Sequence, residues 1–116
     1  MTQVSKRVVA KVVEERIQEV FSKVIADLHD PTDINEFLDD FLSPPEKIML
    51  AKRLSIALML AKGYGYEIIS SILKVTPPTI AIVNINLKYK GKGYKKIIDK
   101  ILKEEKWNKF WQDISN

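Results

Sequence analysis

The stretch PPTIAIVNINLKYKGKGYKK, residues 77–96, decides how this chain is read. It opens with two prolines and a run dense in β-branched residues, then closes with five lysines, two tyrosines, two glycines and no acid. By residue preference TIAIVNINL is a strand. As a strand it would stand alone, because no other segment of the chain offers an extended partner, and its backbone groups would go unpaired. Read as a helix, Thr76 caps the start, Pro77 and Pro78 occupy the first turn, and Ile80, Val83 and Leu87 share one face. The helical reading is preferred, and it makes the lysine-rich segment an arm that follows a helix.

Outward from this stretch, the rest of the chain reads as all-α. Toward the N-terminus, Tyr66–Leu73 forms a helix of about two turns, with Lys74 and Val75 as the turn that follows. Before it, Ser43-Pro44-Pro45-Glu46 is a helix start, with Ser43 as cap and Glu46 completing a capping box. That helix runs to about Lys62, with Met49, Leu50, Leu54, Ala57, Leu58 and Ala61 at helical spacing, and Gly63 ends it. Residues 4–28 read as one long helix with a wide stripe of Val9, Val13, Ile17, Val20, Val24 and Leu28, flanked by Val12, Phe21 and Ile25. Asp30-Pro31 breaks it, and Thr32 or Asp33 caps a short helix through Leu42 whose apolar side is Ile34, Phe37, Leu38 and Phe41. Beyond the glycines, a helix from Tyr94 to Lys106 places Ile97, Ile98, Ile101 and Leu102 inside. The tail carries Trp107, Phe110, Trp111 and Ile114 on one face.

A length of 116 residues implies one domain, residues 1–116, with a core of its own. With no cysteine and one histidine, the chain has no disulfide framework and no thiolate or His-rich metal cluster. No apolar stretch approaches the ~20 residues that span a bilayer, and charges interrupt the N-terminus, so no signal peptide is expected. A cytoplasmic protein without membrane association is the expectation. Net charge is only +4, but it is unevenly placed. Residues 27–46 hold seven acids and no Lys or Arg, whereas residues 47–96 carry a net +9. Such a block attracts polyanions, nucleic acid among them.

Two short helices joined by a tight turn form a helix-turn-helix pattern, with Ser70 small at the crossing and Ile69, Leu73, Val75, Ile80 and Val83 as its shared core. In that arrangement the second helix enters the DNA major groove, its first-turn N–H groups and dipole face phosphate, and its outer side chains meet base edges. The same pattern also occurs as an ordinary hairpin of core helices.

The flanking residues narrow the choice. Leu42-Ser43-Pro44, Arg53-Leu54, Tyr66 and Ile69, Thr79-Ile80, Val83-Asn84, Leu87, and Tyr89, Gly91, Gly93 and Tyr94 recur in order. Over residues 41–94 the chain resembles the tryptophan repressor superfamily, in particular its YerC/YecD-type branch. The resemblance implies an all-helical, intertwined homodimer that regulates transcription as a repressor, its two units reaching successive major grooves ~34–36 Å apart. Residues 1–40 would then be dimerisation helices, 41–94 the repressor-like core, and 95–116 C-terminal helices. The implied partner is double-stranded DNA, contacted by Lys52, Arg53, Lys74, Thr76, Pro77, Pro78, Thr79, Ala81, Ile82, Lys88, Lys90 and Lys92. Lys95 and Lys96 extend the basic arm.

The departures from the family pattern matter equally. Where the family has Ser-Arg and a further Arg, this chain has Ala81-Ile82 and Val83-Asn84-Ile85. The outer face of the recognition helix becomes Pro78, Ala81, Ile82, Ile85 and Asn86, without the Arg or Lys that most often reads guanine. Apolar contact with thymine methyls is the chemistry left to it. The ligand position of the family falls on Ser43, Arg53 and Ile82. With Ile82 replacing an arginine, a ligand carboxylate loses half its charge-assisted contacts, so tryptophan is not expected as corepressor and no cofactor is. Lys74 stands where a turn glycine is common and is strained if its φ is positive. Tyr89 and Tyr94 are expected to pack under the glycine turn. The alternative function is a protein-interaction module on the same scaffold, docking a protein partner on Ile82 and Ile85. No constellation in the chain resembles an enzyme active site: Asp39 and Asp40 are adjacent and diverge on a helix, and His29 sits beside a helix end.

Overall fold

The computed structural model describes residues 8–103 and 106–115, the side chains of Lys106, Trp107, Phe110 and Ser115 aside. Among these residues the chain forms seven helices and no strand: α1 (Lys11–Asp27), α2 (Pro31–Phe41), α3 (Pro44–Ala61), α4 (Tyr66–Leu73), α5 (Pro77–Lys90), α6 (Lys92–Lys103) and α7 (Lys106–Ser115). The all-α expectation holds, and TIAIVNINL is helical throughout. Expectations placed on residues 4–7, on 104 and 105, and on the side chains of Trp107 and Phe110 lie outside the described residues. The chain divides into two compact units, Met1–Ile48 and Met49–Asn116.

In the first unit, α1 starts at Lys11 after Ala10, later than the expected residue 4, because residues 8–10 are not helical and Ala10 supplies no side-chain cap. Its apolar stripe is present but uncovered. No residue of α1 is buried, and Ile17 and Val20 are 55% and 56% exposed. The cap of α2 is Asp30, whose carboxylate accepts from the Thr32 N–H at 2.7 Å, with Pro31 in the first turn. This corrects Thr32 or Asp33. A carboxylate one residue before the proline reaches the orphan N–H directly, and Pro31 has none to satisfy. Phe37 stacks on Phe41 at 5.0 Å and Phe21 on Phe41 at 5.7 Å between centroids. The capping box of α3 forms as expected, with the Ser43 N–H donating to Glu46 at 2.9 Å and the Glu46 N–H to the Ser43 hydroxyl at 3.4 Å.

The second unit is built around α3. Ile56, Ala57, Leu58 and Met59 are all buried, and four consecutive residues cover slightly more than a full helical turn, so α3 is enclosed on every side there. Helical spacing alone picked out Ala57 and Leu58 on this helix but missed Ile56 and Met59. Leu50 and Leu54 are 41% and 40% exposed, and Ala61 is exposed. A one-stripe reading fails on a helix that is apolar all round. Ile69, Ile80, Val83 and Ile98 complete the core, and Tyr64, Ile72, Leu73, Val75, Leu87, Tyr94, Ile101 and Trp111 pack against it. Tyr64 stacks on Trp111 at 4.0 Å. Ile68, Ile97 and Leu102 are 48%, 49% and 37% exposed, so for Ile97 and Leu102 the expected inward position is corrected.

α3 stops at Ala61, and Gly63, the residue read as its terminator, turns the chain away with a φ of 95°. The Gly63 N–H donates to the Leu60 carbonyl at 3.0 Å and the Tyr64 N–H to the Met59 carbonyl at 3.1 Å. This paired reach back over the last turn satisfies two carbonyls the helix would otherwise leave open. At the other break, Gly91 alone separates α5 from α6, and α6 starts at Lys92 instead of Tyr94. The φ of Gly91 is an ordinary −66°, and its need for glycine is spatial. A Cβ there would run into the backbone carbonyl of Leu87.

Candidate nucleic-acid interface

α4 and α5 are joined by three residues, Lys74, Val75 and Thr76, and the chain turns through 117° between them. Both values fit a helix-turn-helix. The turn is made by Lys74 in the left-handed conformation, φ 55° and ψ 52°, alone in positive φ among the described non-glycine residues. Two side chains fasten it. The Ser70 hydroxyl donates to the Val75 carbonyl at 2.6 Å, and the Lys52 ammonium, from α3, reaches the Lys74 carbonyl at 3.5 Å. Ser70, read only as a small residue at the crossing, is thus also a latch on the turn. Below it Ile69, Ile80 and Val83 are buried and Leu73 and Val75 pack against them, the shared core that the spacing indicated.

A further tie has no signature in the sequence. The Asn84 amide donates to the Tyr66 hydroxyl at 3.2 Å, pinning the middle of α5 to the start of α4. Both residues belong to the family-like motif, but a separation of 18 positions carries no sign that they meet.

Thr76 caps α5: its hydroxyl accepts from the Thr79 N–H at 3.4 Å and lies 2.9 Å from the Thr79 hydroxyl. Pro77 and Pro78 have no N–H. The first three residues of α5 therefore hold no free N–H toward a phosphate, which corrects the expectation that first-turn N–H groups supply that contact. Positive charge has to come from side chains. Lys74 is exposed at one end of the unit, and Lys88, Lys90 and Lys92 are exposed at the other. No acid interrupts the sequence from residue 68 to residue 98. Lys88 and Lys90 also sit in the last turn of α5, where they complement the helix dipole whatever else they contact.

Of the remaining site residues, Arg53, Thr76, Pro77, Pro78, Thr79 and Ile82 are exposed, while Lys52 and Ala81 are half-buried. Ile82 is 61% and Ile85 53% exposed on the outer side of α5. Tyr94 packs against the core, but Tyr89 is 81% exposed and does not tuck under the glycine turn. It follows Ile82 and Ile85 along the outer face, away from the buried Ile80–Val83 side. Of the ligand-position residues, Ser43 belongs to the first unit and Arg53 and Ile82 to the second. An open cleft of about 540 Å³ lies between α3, α5 and α6, with Leu60, Leu87 and Ile98 at its base and Lys92, Lys95 and Asp99 around it. Neither Arg53 nor Ile82 lines that cleft.

The family model for the Trp repressor protein matches residues 15–102. The chain belongs to the Trp repressor family. A crystal structure of a candidate Trp repressor from Staphylococcus aureus superposes with a TM-score of 0.70 at 25% identity, covering 83% of this chain and 98% of that one. No curated protein matches the chain significantly. Trp repressor family members are regulatory DNA-binding proteins rather than enzymes, and the helix-turn-helix described above is the part of this chain that corresponds to that role. Among the described residues no single helix is long and apolar enough to cross a membrane.

Proposed function

We propose that this protein is a homodimeric transcriptional regulator of the repressor type that binds double-stranded DNA through α4 and α5, with most of its affinity supplied by lysine–phosphate contacts. The observation that carries the reading is the 117° helix-turn-helix whose outer helix ends on Lys88 and Lys90, with Lys92 just beyond, in a segment without acids. Charge of one sign at both ends of an exposed helix fits a duplex, where phosphates flank the groove on either side. Lys74 serves one flank, and Lys88, Lys90 and Lys92 serve the other. Arg53 and Lys52 add charge from α3.

The dimer is supported by α1. A 17-residue helix with no buried position, and with Val13, Ile17, Val20 and Phe21 about half exposed, leaves a wide apolar face open to water. A second copy of the chain would cover it, and residues 1–40 are the proposed dimerisation segment. Tryptophan is not the proposed effector, since Ile82 offers no charge to a carboxylate.

The test is fluorescence anisotropy of labelled duplexes from the DNA upstream of the protein's own gene, with shuffled controls, titrated at several salt concentrations. Preference for the native fragment supports a sequence-reading repressor. Equal, salt-sensitive binding to both supports phosphate-driven binding without selectivity, and absence of binding at low salt refutes the DNA reading. Sedimentation equilibrium of Ile17→Asp tests the dimer: the variant should sediment as a monomer where the unmodified chain is dimeric.

A further inference from the structure

The outer face of α5 carries an apolar stripe. Pro78, Ile82, Ile85 and Tyr89 fall at i, i+4, i+7 and i+11, and all four are exposed. Polar groups nearby are engaged or recessed. The Thr79 hydroxyl is held by Thr76 at 2.9 Å, the Asn84 amide is held by Tyr66 at 3.2 Å, and Asn86 is half-buried. A helix set to meet base edges thus presents methyl and methylene groups at its centre.

We propose that α5 selects DNA by thymine C5-methyl groups, with Ile82 and Ile85 as the selecting side chains. This rests on the helix-turn-helix reading above and adds what that helix recognises. In the major groove adenine, guanine and cytosine show only hydrogen-bonding groups, whereas thymine adds a methyl. An isoleucine pressed on a polar edge excludes water and gives nothing back to the donors and acceptors it covers. Against a methyl, both partners lose only apolar surface.

The spacing suits this. Ile82 and Ile85 are separated by about 4.5 Å along the helix axis, and successive bases on one strand by about 3.4 Å. The two side chains therefore address thymines at adjacent or next-but-one positions. Charge complementarity fixes the occupant as DNA. Ile82 and Ile85 lie between Lys74 and the group Lys88, Lys90 and Lys92, with no acid from residue 68 to residue 98, so the apolar centre is framed by cations as a groove is framed by phosphates.

The test uses a pool of random-sequence duplexes. Sequences retained by the full chain are resynthesised with deoxyuridine for thymidine, which removes the methyl and leaves every hydrogen-bonding edge and phosphate in place. Loss of one buried methyl corresponds to roughly fourfold in affinity, so two isoleucines on two methyls predict roughly tenfold weaker binding or more, with the salt dependence unchanged. The Ile82→Ala/Ile85→Ala variant should bind thymine and uracil forms alike. Both side chains are exposed, so its circular dichroism should match the unmodified chain. Equal affinity for the two forms, with salt-sensitive binding intact, overturns methyl selection and leaves the DNA-binding function standing. Retention without enrichment of any sequence overturns it as well. Failure to retain any duplex at low salt overturns both, and an acidic protein partner for the stripe takes their place.

Discussion

Lys74 sets stability and DNA binding against each other. Its φ of 55° and ψ of 52° place an L-residue with a Cβ in the left-handed region, which costs roughly 1–2 kcal/mol. Lys74→Gly removes that cost, but the glycine also loosens the unfolded chain, an opposing effect of about 0.4–1 kcal/mol. The net expectation is a gain of about 0.5–1 kcal/mol, or about 2–4 °C in Tm for a chain of this size. Lys74→Ala is the control, because it deletes the same charge and keeps the Cβ in the strained conformation. The carbonyl that receives the Lys52 ammonium and the Val75 carbonyl held by Ser70 persist in both variants. Thermal unfolding followed by circular dichroism, all variants at one protein concentration, should rank glycine above lysine and lysine close to alanine. In the anisotropy titration both variants should lose affinity together, the slope of log affinity against log salt falling by about one for each protomer, or about two for the dimer. A glycine variant no more stable than the alanine one would refute the strain argument. An unchanged salt slope in both would remove Lys74 from the phosphate contacts.

Gly91 and Gly93 look alike in sequence and should respond oppositely to alanine. At Gly91 the new Cβ meets the Leu87 carbonyl, and a loss of about 1–3 kcal/mol is expected, the cost of forcing atoms into a packed site. Gly93 lies inside α6 with open space where its Cβ would be, and Gly93→Ala should add about 0.5–1 kcal/mol; chemical denaturation measures both. Met59→Ala, at a position with no exposure in the last turn of α3, should cost about 2–5 kcal/mol in the same assay, and a loss below about 1 kcal/mol would mean that the enclosed turn of α3 is not the centre of the core.

How much of this could be read in advance depends on which physical effect dominates each segment. Caps and breaks were legible because they are local: Ser43 and Glu46, Gly63, and Thr76 before two prolines each satisfy or remove backbone groups within a few residues. The helix at TIAIVNINL was legible against its own strand preference, because a strand without a partner fails on hydrogen bonding before side-chain preference matters. The start of α2 was misjudged by two or three residues, since Thr32, Asp33 and Asp30 are all competent caps and the proline between them decides. Periodicity failed in two ways. On α3 it sought one apolar stripe in a segment buried all round. On α6 it marked Ile97 and Leu102 as apolar positions without revealing that the described residues leave them 49% and 37% exposed.

The site was legible in its residue types and illegible in its hydrogen bonding. That α5 lacks Arg and Lys on its outer face follows from the sequence alone. That it also lacks an N–H toward phosphate requires knowing that Pro77 and Pro78 fill the first turn and that Thr79 is bound to Thr76. The two absences together constrain the chemistry. A recognition helix ordinarily combines backbone N–H groups and polar side chains, so anchoring and reading are mixed along its length. Here the anchoring groups available are lysines at and beyond the two ends of the helix, Lys74 before it, Lys88 and Lys90 in its last turn and Lys92 after it, and the central face is left to Ile82 and Ile85. Under the functions proposed above, salt dependence and base preference then reside in different residues. Removing Lys90 should lower affinity by a similar factor on every duplex, whereas truncating Ile82 should flatten the preference among duplexes and leave the salt slope alone. A lysine substitution that changed the base preference would show that the two roles are not separated along α5, and would return Asn86 to consideration as a reading group.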